Sequence, residues 1–180
     1  MVEQKKILGE ERRSLILQQL KDSPVPLTGS ELANRTNVSR QVIVGDITLL
    51  KANNEPIIAT SQGYIYMHQE QLVHTVERTI PCFHSPEDAK DELLTIVDCG
   101  GTVKNVIVEH PIYGEITASF MVSNRHEVEQ FVQRVNDTQA SYLSALTGGT
   151  HLHVISAPSV EILDLIEQTL QKKGYLMSDQ

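Results

Sequence analysis

Cysteine is scarce in this chain of 180 residues: the two present, Cys82 and Cys99, lack CxxC spacing and leave no basis for a disulfide framework. The opening "MVEQKKILGEERR" has no apolar core of the kind a secretory signal needs, so secretion is poorly supported too. No apolar run approaches the roughly 20 residues required to cross a bilayer, which excludes a membrane partner. Internal repeats and low-complexity segments are also missing. A soluble, cytoplasmic protein is expected. Its 40% hydrophobic content is near the globular norm, enough for a real core in one domain or two small ones.

Positive charge is lacking overall, with a formal net charge of −8, and this argues against a nucleic-acid partner until the chain is divided. Residues 1–67 carry eight Lys/Arg and seven Asp/Glu, a net +1, which leaves seven against sixteen, −9, for residues 68–180. Any DNA contact must come from the first part, with the acidic part held away from phosphates.

Three helical patterns follow one another over residues 10–53. The first, near 10–21, turns Leu15, Ile16 and Leu20 inward and ends at "KDSPVP". The second opens at Thr28, where the spacing to Glu31 is that of a capping box. "TNVS" then supplies a tight turn, with Asn37 suited to a left-handed conformation and Ser39 capping a third helix that runs to about Asn53. Ile43, Ile47 and Leu50 face inward on it, leaving Ser39 at its start and Arg40, Gln41, Thr48 and Lys51 outward. This is helix-turn-helix geometry, in which the start of the second member enters the major groove and long polar side chains reach base edges. "IIATSQGYIYM" reads as a two-stranded wing. The local charge is feeble, so two copies on two half-sites of double-stranded DNA are expected rather than one.

From about residue 69 strands alternate with helices: a strand near 72–80, a helix opened by Ser85 and Pro86 and closed by Gly100, and strands at 102–109 and 114–122. A helix capped by Asn124, a strand "THLHVIS" and a helix from Ser159 to Lys173 complete the pattern. The expected fold is α+β: a winged helix-turn-helix domain over 1–68, then over 69–180 a split β-α-β (ferredoxin-like) domain with an added C-terminal helix.

The strand "GGTHLHVIS" raises a chemical question, because alternate residues of a strand share a face and His151 and His153 therefore present two imidazoles about 6–7 Å apart. That spacing suits one cation. His84 immediately precedes a helix, and Glu92, three residues after Ala89 and four before Ile96, falls on or beside the core-facing side of that helix, where an unpartnered carboxylate is costly. If this helix crosses the face bearing His151 and His153, the four groups converge on one divalent transition metal per chain, zinc, nickel, iron or manganese, with positions left for a ligand. His110, in "EHPIYGE", sits on a tight turn beside Tyr113, a pair suited to a small anionic or aromatic ligand. His68, His74 and His126 have no comparable context. Two other functions use the same residues: a metal-dependent hydrolase on a DNA anchor, although Glu92 would be consumed as a ligand and HExxH is absent, and a repressor for which the metal itself is the signal.

The segments "LTGSELANRTNVSRQVIVGDITLLKANNEPIIATSQGYIYM", "CFHSPEDAKDELLTIVDCGG", "VEHPIYGEI" and "GGTHLHVIS" together resemble the niacin-responsive transcriptional repressors of NAD biosynthesis. Those proteins join a winged helix to a three-histidine, or 3H, domain, and the resemblance covers essentially the whole chain. It implies a metal held by His84, Glu92, His151 and His153, with His110 near an effector pocket. It also implies nicotinic acid as co-repressor and a homodimer on a palindromic operator.

Overall fold

A computed structural model describes residues 8–67 and 75–177. The chain divides into two compact units, Met1–Gln71 and Leu72–Gln180. The expected boundary after residue 68, and with it His68 and His74, lies outside the described residues.

In the N-terminal unit α1 (Gly9–Asp22), α2 (Gly29–Thr36) and α3 (Arg40–Ala52) precede a hairpin of β1 (Ile57–Thr60) and β2 (Gly63–Tyr66). The capping box forms as the spacing predicts: the Glu31 amide donates to the Thr28 hydroxyl, and the Glu31 carboxylate accepts from the Thr28 amide. Asn37 takes a left-handed conformation at φ 53°, and its turn sets α3 against α2. Ile16, Leu20, Leu32, Ile43, Ile47 and Leu50 form the core. Leu15, expected inside, is exposed, because the inward stripe of α1 runs Arg12, Ile16, Leu20. Arg12 can be buried there because Asp46 of α3 meets it with two hydrogen bonds of 2.6 and 3.1 Å. Leu27 and Tyr64 exchange backbone hydrogen bonds of 2.9 and 2.8 Å and fasten the wing to the α1–α2 connection. Gly63, at φ 135°, passes so close to the Leu27 carbonyl that no side chain fits.

The C-terminal unit runs β3 (Val76–Phe83), α4 (Ala89–Asp98), β4 (Thr102–His110), β5 (Gly114–Val122), α5 (Arg125–Thr138), β6 (Thr150–Ala157), α6 (Val160–Lys173). Its first strand extends to Phe83, beyond the expected end at residue 80. A 3-10 turn, Pro86–Asp88, precedes α4, and the Ser85 hydroxyl bonds the Asp88 carboxylate rather than a backbone amide. Asn124 caps α5 as expected, while Glu127 reaches back to the Ser123 amide.

The four strands lie in the order β3-β6-β4-β5, every neighbouring pair antiparallel. Both β-α-β units are therefore split, β3-α4-β4 by β6 and β5-α5-β6 by β4. This order is not the ferredoxin-like one, which would place β3 and β5 at the centre. The exchange puts β6 inside the sheet with both edges paired. Its residues alternate buried and half-buried, and His151, His153, Ile155 and Ala157 share the buried face. Ile96, Val103, Val122, Val128, Leu163 and Ile166 from the sheet and its helices complete that core.

Candidate metal centre and nucleic-acid interface

On α3 the outward residues are as the periodicity predicts: Arg40, Gln41, Thr48 and Lys51 are all exposed. Ser39 accepts the Val42 amide at 3.4 Å, so its hydroxyl is engaged in starting the helix. Thr48 donates to the Val44 carbonyl at 2.8 Å. Gly45 lies one turn after Gln41 on the same face, and a Cβ there would meet nothing. It leaves bare backbone between Gln41 and Thr48, at a helix-propensity cost of about 1 kcal/mol against alanine. A search for long hydrogen-bonding side chains passes over such a position. The buried pairing of Asp46 with Arg12 fixes the roll of α3 about its axis, and so which residues face outward.

The structure brings together the four residues that the strand and helix periods nominate. Glu92 enters from α4, is 1% exposed, and turns one carboxylate oxygen, Oε2, to His84 Nε2 at 2.8 Å and His153 Nε2 at 3.3 Å. Its other oxygen, Oε1, lies 3.5 Å from His151 Nε2. The His151 ring centroid is 4.9 Å from that of His84 and 4.8 Å from that of His153.

Each imidazole is oriented from behind. The Nδ1–H of His84 donates to the Ser85 carbonyl at 2.8 Å, that of His151 to the Gly149 carbonyl at 2.8 Å, and that of His153 to the Asn105 carbonyl at 2.7 Å. Since a carbonyl only accepts, all three Nδ1 atoms carry hydrogen. In the neutral rings the three Nε2 lone pairs then point at one carboxylate, and two acceptors face to face repel unless a proton or a cation lies between them. Metal-bound imidazoles are commonly held from the second nitrogen in this way.

Without a metal, protons fill that role. Burial pushes the Glu92 carboxyl up, but the charge of His153 and the close approach of the His151, His153 and His84 imidazoles outweigh it and hold the group well below the usual range. Burial pushes His84 and His153 down, and Glu92 reverses this, leaving both raised. One acceptor is still unmet, since Glu92 Oε1 is buried without a hydrogen-bond partner.

These observations fit a divalent ion. The Nε2 atoms of His84, His151 and His153 approach the Glu92 oxygens at 2.8–3.5 Å, so the four side chains converge on one buried point. Three imidazoles and one carboxylate suit a borderline metal.

Gly149 holds the two halves of the cluster together. At φ 104° it directs its carbonyl to His151, and a Cβ in its place would run into the carbonyl of His84. Cys82 is the neighbour that sequence reasoning missed. It is buried directly across the ladder from His151, and its Sγ, a Glu92 oxygen and a His151 ring nitrogen all lie within 4.8 Å of one another. Burial pushes its thiol pKa up, and the Glu92 charge adds to this. The signal was present in Cys82-Phe83-His84, the same alternate spacing as His151 and His153.

His110 and Tyr113 are placed differently. Their rings lie 4.9 Å apart, tilted by 32°, on the β4–β5 turn, where Tyr113 is 77% exposed. His110 Nδ1 accepts the amides of Ile112 at 3.2 Å and Tyr113 at 3.3 Å, which is the bonding of the turn itself. Neither ring makes a hydrogen bond or ring contact with the quartet. His126 lies exposed on α5 and bonds Gln130. Among the described residues, no helix is long and apolar enough to cross a membrane.

Comparison with known proteins adds to this geometry. The 3H domain family matches residues 77–179, and an HTH domain family matches residues 12–65. Transcription repressor NadR of Bacillus subtilis is 52% identical over 180 residues, covering 99% of this chain and 100% of that protein. Probable transcription repressor NiaR of Thermotoga maritima is 40% identical over 174 residues, covering 97% of this chain and 98% of its own length.

Proposed function

The chain belongs to the family of helix-turn-helix and 3H-domain transcription repressors that includes NadR and NiaR, and from that premise we propose that it silences genes of NAD biosynthesis and niacin uptake in the cytoplasm, with nicotinic acid as co-repressor. Its relatives are repressors rather than enzymes, which retires the hydrolase alternative. In this reading two copies bind a palindromic operator, each inserting α3 into the major groove. Arg40 and Gln41 read base edges, while Lys51 and the helix start contact phosphates.

His84, Glu92, His151 and His153 would hold one divalent transition metal. A cation there supplies a positive centre to which the carboxylate or ring nitrogen of nicotinate can bind. The carrying observation is the arrangement of three imidazoles, each tied through Nδ1 to a backbone carbonyl and aimed through Nε2 at one buried carboxylate. Such a set is rigid before any ligand arrives. His110 and Tyr113, on their turn, would close over the effector's ring. An effector changes DNA affinity only as far as it binds two states of the repressor unequally, so nicotinate must favour the dimer geometry that matches successive major grooves.

The test titrates nicotinic acid against operator binding by the full chain, metal-loaded or treated with chelator. The expected result is at least tenfold tighter DNA binding with nicotinate, seen only in the loaded protein. Unchanged affinity in both arms rejects the coupling. Tightening by metal alone, with no response to nicotinate, would make the ion itself the signal.

A further inference from the structure

Around Glu92 the groups divide by oxygen. Oε2 is shared by His84 and His153, whereas Oε1 faces His151 and is buried without a hydrogen-bond partner. Beside the same carboxylate lies Cys82. It sits opposite His151 on the β3–β6 ladder, on the same buried face, and its Sγ is within 4.8 Å of a Glu92 oxygen and a His151 ring nitrogen. Beyond the Glu92 carboxylate, whose nearness pushes the thiol up, the sulfur makes a long contact of 3.8 Å with the Ile80 carbonyl. Packing alone does not require a thiol at this position, where a small apolar residue would fill the same core space.

We propose that the Cys82 thiolate is a further ligand of the ion held by His84, Glu92, His151 and His153. This rests on the metal reading above and extends it. On loading, the thiol gives up its proton to solvent, and a sulfur lone pair forms the bond to the ion, with no change of oxidation state. A soft ligand among imidazoles and a carboxylate biases the site toward metals that bind thiolate well, zinc, nickel and cobalt, over manganese.

Cobalt(II), added to the metal-free full chain, is the probe. Visible ligand-field bands report occupancy, and an intense near-ultraviolet thiolate-to-cobalt charge-transfer band reports sulfur coordination. Wild type should show both. Cys82→Ala should keep the visible bands, lose the ultraviolet one, and bind cobalt at least tenfold more weakly in competition with a chelator, while Cys99→Ala changes neither. Visible bands without charge transfer in wild type would overturn the Cys82 assignment and leave the four-residue site standing. A charge-transfer band that survives in Cys82→Ala would also overturn it. Absence of cobalt binding by wild type would overturn both readings. Circular dichroism and the metal-free melting temperature of Cys82→Ala show whether a loss comes from the missing ligand or from misfolding.

Discussion

Each unit buries a carboxylate on a helix, Asp46 at 3% and Glu92 at 1% exposure, and the two are answered by different bases. Asp46 meets the guanidinium of Arg12 with two bonds, and Arg13 adds a longer contact at 3.6 Å. A guanidinium keeps its charge at any working pH and has no lone pair to offer a metal, so that pair is closed. Glu92 meets three imidazoles, which exchange protons near neutrality and do offer lone pairs, and one of its oxygens is left unbonded. The same burial therefore produces a fixed strut in one unit and an exchangeable site in the other.

Breaking the strut should have the largest effect. Asp46→Ala removes the carboxylate that meets the buried Arg12 guanidinium, and losses of about 3–5 kcal/mol are usual when one member of a buried pair is removed. Denaturant unfolding should show the N-terminal unit melting early and operator binding lost, with metal affinity unchanged. If the stability were unaltered, the pair would not be the strut described.

Next is Gly149→Ala. It forces an alanine into a left-handed conformation against the His84 carbonyl, where strain of about 1–3 kcal/mol is expected. Metal affinity should fall more than the stability of the metal-free chain, because His84 and His151 are pushed apart. Equal metal affinity would mean that the close approach does not position the ligands.

Acidity sharpens the contrast between the units. Glu92 is depressed below its ordinary 4.5, so its contribution is present above that value and lost as pH falls through the lower folded one. His84 and His153 are raised above their ordinary 6.5, so theirs is present below that value and lost as pH rises through the higher folded one. The metal-free C-terminal unit should thus be most stable between about pH 4.5 and 6.5 and should soften toward pH 9. The loaded unit should behave oppositely above pH 6, since metal and protons compete for the same Nε2 atoms. Melting curves against pH, with and without chelator, check this; a chelated protein that gains stability from pH 6 to 9 would contradict the assignment.

The smallest effect is expected at Lys51→Ala. Loss of one phosphate contact should weaken operator binding across all sequences and reduce the salt slope by about one unit. A sequence-selective loss would instead make Lys51 a base reader.

What was legible in the sequence was local. Thr28 with Glu31, Asn37 and Ser39 marked their caps and turn through contacts within a few residues. His151 with His153 marked a shared strand face through a period of two. Glu92 was legible because a carboxylate between Ala89 and Ile96 conflicts with its surroundings. Arg12 was passed over because its partner is 34 residues away, beyond what a helical period reveals. Sheet order depends on which distant strands pair, and no turn signal encodes that. Cys82 escaped because cysteines were weighed as pairs with each other, whereas its relevant neighbour is His151, across the ladder.

The irregularity in β4 and β5 has a further consequence. Between the rung through Val103 and the rung through Val106, β6 advances two residues, from Ile155 to His153; β4 advances three, and β5 four, from Val122 to Ala118. Like lanes on a bend, the strands lengthen outward, and Met121 takes a left-handed φ of 51° in the longest lane. Sliding β6 by one residue would aim both histidines at the opposite face, yet such a slide would also have to move two bulges together. The bend thus acts as a detent for β6, and the address of each imidazole is kept by backbone count as well as by its hydrogen bond.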